Sequence, residues 1–291
     1  MTRRHFFVGV AVAAVAVTAT LVALAMQVLT NEFVVIGRDG TRTVLAPAPI
    51  SAFAPRVSPD GKRVLFGVSG GALETVGIPN SGAPMRVAAL ADANFGIWDG
   101  TGERIFYIAS PDRNQAPFFT RADGSGFPRR PLRDPARAPD SWSSVHNGLS
   151  FITLNGGDYD IWFYSEADKN AIPLIVIEGS RQLSSQISPD GKWVAYKSDE
   201  SGSFEIWVQP FPTGPRTRVT RTGGSNPLWS KDGRELFFDD DHRIYSVAVT
   251  TEPALAFGPP QPLPITGFVQ AGSLRRQWDL MPDGRFLVMV R

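Results

Sequence analysis

The stretch Ser188-Pro189-Asp190-Gly191-Lys192-Trp193-Val194-Ala195-Tyr196 decides the fold, because its pattern returns along the chain. The clearest further copies are Ser58-Pro59-Asp60-Gly61-Lys62, Ser230-Lys231-Asp232-Gly233-Arg234 and Met281-Pro282-Asp283-Gly284-Arg285. In a type I turn, proline pre-sets the first central residue and aspartate tolerates the second. Glycine then supplies the left-handed backbone that closes a hairpin. The segments that follow, Val64-Leu65-Phe66, Val194-Ala195-Tyr196, Leu236-Phe237-Phe238 and Leu287-Val288-Met289, suit a pleated, half-buried strand.

Two degenerate copies lie in phase between the first and second strong ones. Trp98-Asp99-Gly100-Thr101-Gly102-Glu103 leads into Ile105-Phe106-Tyr107, and Ser144-Val145-His146-Asn147-Gly148 leads into Phe151-Ile152. Glycines 61, 102, 148, 191, 233 and 284, taken as equivalent, are separated by 41, 46, 43, 42 and 51 residues. Such a period marks β-propeller blades, and six copies imply six. Asp160-Ile161-Trp162, Glu205-Ile206-Trp207 and Arg243-Ile244-Tyr245 read as third strands. Met85-Arg86-Val87, Leu174-Ile175-Val176 and Arg216-Thr217-Arg218-Val219 read as fourth strands. The expected fold is therefore all-β: a six-bladed propeller of four-stranded antiparallel blades over residues 31–291.

The last repeat ends at Arg291, after only two strands. Phe33-Val34-Val35-Ile36, the Arg38-Asp39-Gly40 turn and Thr41-Arg42-Thr43-Val44-Leu45 read as a hairpin that supplies the missing outer half. Pairing it with the C-terminal strands would close the ring and leave no open sheet edge.

Composition agrees with an all-β chain: 43% hydrophobic residues, with seven Trp and nineteen Phe to fill the interfaces between blades. A net charge of +1 provides no broad basic field for nucleic acid, and the Arg129, Arg130, Arg133 and Arg137 cluster, interrupted by Asp134, reads as a solvated loop. There is no cysteine, which excludes disulfides and thiolate chemistry.

Residues 1–30 are a separate unit. Residues 6–29 carry no charge, and about 24 residues of helix would span roughly 36 Å, enough to cross a bilayer core. Arg3 and Arg4 before this run favour a cytoplasmic N-terminus, with the propeller on the extracytoplasmic, periplasmic or extracellular side. The run is read as a retained single-pass anchor. A cleavable signal peptide processed near Ala23-Leu24-Ala25 is the rival, and it would release an exported soluble protein.

Gly67-Val68-Ser69-Gly70-Gly71 matches the nucleophile-elbow pattern, but it falls between two strands with no helix to follow, so it reads as a hairpin loop. Asp239-Asp240-Asp241-His242 is the densest group of metal-type ligands and sits where a turn is due; it reads as a solvated turn. His146 reads as structural or exposed. Trp98 and Trp229, just before their turns, and Trp162, Trp193, Trp207 and Trp278 within strands, read as core. No catalytic, metal or cofactor set is expected. The residues singled out are the repeat turns Pro59, Asp60, Gly61, Gly102, Gly148, Pro189, Asp190, Gly191, Asp232, Gly233, Pro282, Asp283 and Gly284.

The phrases at 188–196 and 199–208 resemble the TolB-type, WD-like propeller repeat. Pro210-Phe211-Pro212, 223–238 and 278–287 resemble the extracytoplasmic propeller of membrane-spanning bacterial serine/threonine kinases. The resemblance covers about residues 31–291 and is strongest after 185. It implies a sensing or docking ring beyond a transmembrane helix. The kinase itself is expected to be absent: five residues precede the apolar run, and no glycine-rich loop, catalytic loop or Asp-Phe-Gly motif occurs. The α/β domain that precedes the propeller in TolB is likewise expected to be absent.

The expectation is therefore a non-catalytic, membrane-anchored module that binds an envelope protein or a small ligand. The alternative is a propeller enzyme of hydrolase or lyase type, or a peptidase-lid-like domain, with its site at the channel mouth.

Overall fold

Phe33 lies opposite Met289, so the first strand of the ring pairs with the last. The computed structural model describes residues 30–79, 82–88, 90–111, 115–132, 136–269 and 275–291. The apolar run at 6–29 lies outside them, and among the described residues no helix is long and apolar enough to cross a membrane.

Strands β1 (Thr30–Ile36) and β2 (Arg42–Pro49) precede the first complete blade. That blade comprises β3 (Ala52–Val57), β4 (Arg63–Val68), β5 (Ala72–Gly77) and β6 (Met85–Arg86). The second comprises β7 (Asn94–Trp98), β8 (Arg104–Ala109) and β9 (Ala116–Arg121). The third is β10 (Ala136–Ser143), β11 (Gly148–Asn155), β12 (Asp158–Ser165) and β13 (Asn170–Ile175). The fourth is β14 (Gln182–Ile187), β15 (Trp193–Ser198), β16 (Glu205–Pro210) and β17 (Thr217–Arg218). The fifth is β18 (Ser225–Trp229), β19 (Glu235–Asp239), β20 (Arg243–Thr250) and β21 (Ala256–Phe257), with β22 (Gln261–Thr266) also on β20. The sixth joins β23 (Trp278–Leu280) and β24 (Phe286–Val290) to β1 and β2, in the order β2-β1-β24-β23.

The expected closure is thus present, and burial explains its force. Phe33 and Val35 from one end of the chain and Leu287 and Met289 from the other share an apolar cluster with Val64 and Phe66 of the first blade. Phe33 and Phe66 meet with ring centroids 5.1 Å apart. The expected third strands lie in β12, β16 and β20, and the expected fourth strands in β6, β13 and β17, with Val87, Val176, Arg216 and Val219 beyond their ends. The second blade departs from four strands. After β9 the described chain makes only an isolated bridge, Phe119 to Arg129. Gly124 and Gly126, both at positive φ, turn the chain there, and Pro128 and Pro131 have no N–H to donate to a ladder.

In the repeat turns the serine, beyond the proline and glycine, has a defined task. Ser58 Oγ donates to Asp60 Oδ1 at 2.6 Å and accepts from the Arg63 amide at 2.9 Å, while Asp60 Oδ1 accepts from the Lys62 amide at 3.0 Å. Ser188 with Asp190, and Ser230 with Asp232, repeat this arrangement. These bonds hold the Asp60 and Asp232 carboxyls below the usual aspartate value, the serine hydroxyl being the largest cause. In the degenerate second turn Asp99 takes the serine's place and accepts from the Glu103 and Arg104 amides at 3.1 and 3.2 Å.

The third turn corrects the assignment of Gly148. That residue opens β11, opposite Ser143, and the left-handed turn residue is Asn147, at φ 43°. The loop joining β10 to β11 is shorter than its counterparts, which moves the left-handed position back by one residue. A Cβ on Gly148 would lie 2.3 Å from the Tyr164 carbonyl oxygen, so glycine is required there by close packing within the strand.

Candidate functional site

The inner strand of each blade lines the central channel, and four of the six carry the same irregularity. Ladder register breaks between Phe53 and Arg56, Asn94 and Ile97, Leu183 and Gln186, and Ser225 and Leu228. In each interval one residue sits in the left-handed region: Ala54, Phe95, Ser184 or Asn226, at φ between 50° and 56°. An extra residue in one strand of an antiparallel pair frees main-chain groups and re-aims the side chains around it. Polar side chains from the preceding blade satisfy several of those groups. Gln277 Oε1 accepts from the Ala54 amide at 3.0 Å, Asp279 Oδ2 from the Val57 amide at 2.8 Å, and Asp140 Oδ2 from the Ser185 amide at 2.9 Å.

Asp140, on the third blade, also forms an ion pair with Arg275, which leads into the sixth. Blades three and six face each other across a ring of six, so this pair spans the channel. The two side chains are 0% and 6% exposed, which places the contact in the interior, away from both mouths. Ser185 Oγ lies 2.8 Å from Asp140 Oδ2 and 2.9 Å from Ser150 Oγ, which in turn lies 2.8 Å from Ser141 Oγ.

On the repeat-turn side of this bridge is a cavity of about 320 Å³ to which all six blades contribute. Its wall includes Arg56 from the first blade, Trp98 and Asp99 from the second, Asp140 and Trp142 from the third and Gln186 from the fourth. Leu228 from the fifth and Arg276 and Asp279 from the sixth complete it. The carboxylates are committed to the fold. Asp99 holds its own turn and Arg104, and Asp140 holds Arg275 and Ser185. Asp279 holds the Val57 amide and accepts from Arg276 Nη2 at 2.8 Å.

Arg56 is different. Its Nη1 donates to the main-chain oxygens of Pro55 and Arg276 at 2.6 and 3.0 Å, and among the described residues no carboxylate lies within ion-pairing distance of it. Desolvation, and next the neighbouring Arg276 charge, push its pKa down to about 9. A half-buried guanidinium in this setting can bind an anion that brings its own charge into the cavity.

The sequence reading gave no site role to Arg56, Asp140, Trp142, Arg275, Arg276 or Asp279. Of the residues it did name, Pro59 and Trp98 reach this cavity, as do Asp99, Gly100 and Ser144 of the two degenerate turns. Ser69 is exposed in the turn between β4 and β5 and donates to the Ser51 carbonyl at 3.3 Å. The Asp239 to His242 run diverges. Asp239 is buried, accepting from Trp278 Nε1 at 2.5 Å and Asn226 Nδ2 at 3.0 Å, whereas Asp240 accepts from the His242 and Arg243 amides and the Tyr245 hydroxyl. Burial raises the Asp239 pKa to about 6. His146 stacks on Phe211 at 4.1 Å, with Nε2 2.8 Å from the Gly191 carbonyl oxygen, and so joins the third turn to the fourth.

Trp98, Trp229 and Trp278 are buried. Trp162, Trp193 and Trp207, expected in the core, are only half-buried. Trp193 stands at the first position of β15 beside its turn, Trp162 borders a surface cavity, and Trp207 carries the Arg218 guanidinium 5.9 Å from its ring centroid.

No protein-family model matches the chain, and no curated protein does. Solved structures resemble it in three dimensions. A TolB-type propeller of Agrobacterium tumefaciens superimposes with a TM-score of 0.71 at 18% identity, covering 90% of this chain and 98% of that one. TolB from Acinetobacter baumannii gives 0.61 at 16% identity, covering 80% and 63%. The oligogalacturonate lyase of Vibrio parahaemolyticus gives 0.56 at 12% identity, covering 84% and 79%. What these likenesses share with this chain is the β-propeller fold.

Proposed function

We propose that this chain is a non-catalytic, membrane-anchored binding module whose channel mouth, on the repeat-turn side, takes an envelope protein or a small ligand on the extracytoplasmic face. The observation that carries this reading is the cavity to which all six blades contribute, with Asp140, the ion-pair partner of Arg275, in its wall. Its carboxylates accept hydrogen bonds from main-chain amides or arginines, which supports a structural role for them. The uncharged run at 6–29, with Arg3 and Arg4 ahead of it, supports the anchor and its orientation.

The test is photocrosslinking in a bacterial envelope, with a photoreactive residue at Ser144, on the cavity wall, and a control at exposed Asn155. Capture of one discrete partner at 144 and not at 155, or retention of one small ligand in native mass spectrometry, is the expected result. A single binding partner captured equally at both sites would place recognition elsewhere. The likeness to an oligogalacturonate lyase supports a second reading, catalysis in the same channel. Turnover of an oligouronide lost in Arg56→Gln would establish that reading and overturn the first.

A further inference from the structure

Three tryptophans stand at equivalent positions at or beside the ends of inner strands, Trp98 and Trp229 as the last residues of β7 and β18 and Trp142 one residue before the end of β10. Trp98 stands opposite Ile105, Trp229 opposite Leu236 and Trp142 opposite Leu149. Two of them spend the indole N–H on the preceding blade: Trp98 Nε1 donates to the Arg56 carbonyl at 3.0 Å and Trp229 Nε1 to the Gln186 carbonyl at 3.1 Å. Trp142 breaks the pattern. Its ring stacks on Phe106 with centroids 5.2 Å apart, and its indole N–H makes no hydrogen bond among the described residues. Gly100 allows this position, because a Cβ there would lie 3.1 Å from Trp142 Nε1 and 2.1 Å from Ser144 Oγ. Arg56 lines the same cavity with its guanidinium held at one nitrogen only.

Arg275 pairs with Asp140, Arg276 with Asp279 and Asp99 with Arg104, so among the described residues of this cavity Arg56 is the cation without a carboxylate. A guanidinium fork and an indole N–H are donors only, which suits an acceptor with two oxygens and a negative charge. Ile97 and Leu228 on the same wall offer apolar contact to whatever carries that group.

We infer that Arg56 and the Trp142 indole N–H form a receptor for a single carboxylate borne on an apolar body, either a small organic acid or the C-terminus of a polypeptide. This rests on the reading of the channel mouth as a binding site, and it adds the chemical class of the ligand.

The test uses the full chain, labelled with ¹⁵N at the indoles of its seven tryptophans, with the Trp142 signal assigned from Trp142→Phe. The probes are N-acetyl-leucine, N-acetyl-leucinamide, and a leucine-ended pentapeptide in free-acid and amidated forms. The expected result is a saturable shift of the Trp142 signal with the free acids and none with the amides. Arg56→Gln should weaken the effect at least ~30-fold, the loss expected when one partner of a buried charge pair is removed. A tighter response to the pentapeptide acid than to N-acetyl-leucine identifies a chain terminus as the source; equal responses identify a small acid. Equal shifts with acids and amides, or no shift with any probe, overturn the inference. The comparison of acid with amide on the unmodified chain needs no variant to fold. Photocrosslinking to a partner through Ser144 alongside a silent Trp142 signal would sink the carboxylate receptor and leave the docking reading standing.

Discussion

Gly61 of the first blade and Pro282 of the sixth meet where the ring closes: a Cβ on Gly61 would lie 3.1 Å from the proline Cγ and Cδ. The contact repeats around the ring. Gly102 faces Pro59 at 3.3 Å and Gly233 faces Pro189 at 3.9 Å. Gly191 faces Val145 and His146, which stand where the third turn has no proline, and Gly284 follows the fifth turn, where Lys231 replaces proline, and faces nothing within 4 Å. The proline and glycine of the repeat therefore shape their own hairpins and also dock one turn against the next.

Gly61→Ala is expected to destabilise the fold more than Gly284→Ala. Both residues have positive φ, which costs an alanine about 1–2 kcal/mol, but only Gly61 has a proline in the path of the new methyl. Denaturant midpoints of the two variants check this, and adding Pro282→Ala to Gly61→Ala should recover the excess.

Ring closure predicts the effect of Phe33→Ala. Phe33 is fully buried between the two ends of the chain, so truncation should cost about 3–5 kcal/mol, whereas Val44→Ala on the exposed face of β2 should stay within ~0.5 kcal/mol. Equal thermal shifts for the two would mean that β1 does not hold the sixth blade.

Asp140→Ala leaves the Arg275 guanidinium buried without its carboxylate and the Ser185 amide without its acceptor. Loss of one partner of such a pair costs about 3–5 kcal/mol. Combining it with Arg275→Met should return part of that loss in chemical denaturation.

Asp239 sets a pH dependence. Its folded pKa, raised by burial from 3.8 to about 6, lies above its unfolded value, so the folded state binds more protons between those values. Stability then falls as pH rises through about 4 to 6, by up to about 3 kcal/mol. Asp239→Asn removes this dependence and should gain on the wild type over that window. Urea titrations at pH 4, 5, 6 and 7 that gave a constant difference between the two proteins would refute it.

The blade pattern was legible because it is local and repeated. Pro189, Asp190 and Gly191 act within one hairpin, and apolar segments such as Val194-Ala195-Tyr196 announce the strand that follows. Gly148 misled because the third loop is shortened, and a count between glycines cannot tell a turn position from a tight strand contact. The half-buried Trp162, Trp193 and Trp207 misled because a strand pattern gives a face and not a distance from the rim. The channel residues left no such trace. Arg56 and Asp140 stand at inner-strand positions where the other blades carry different side chains, Trp142 shares its position with the buried Trp98 and Trp229, and Arg275 lies ahead of β23.

The sequence alone determined the hairpin chemistry, the number of repeats and the need for an N-terminal hairpin to complete the last blade, because those follow from turn geometry, strand periodicity and the cost of an open edge. Tertiary structure alone decided the site. Asp140 and Arg275, 135 residues apart, meet because a closed ring of six sets their blades face to face. The inner-strand bulges then turn amides and guanidinium groups toward one channel, and which charge is left over there depends on which pairs have already formed.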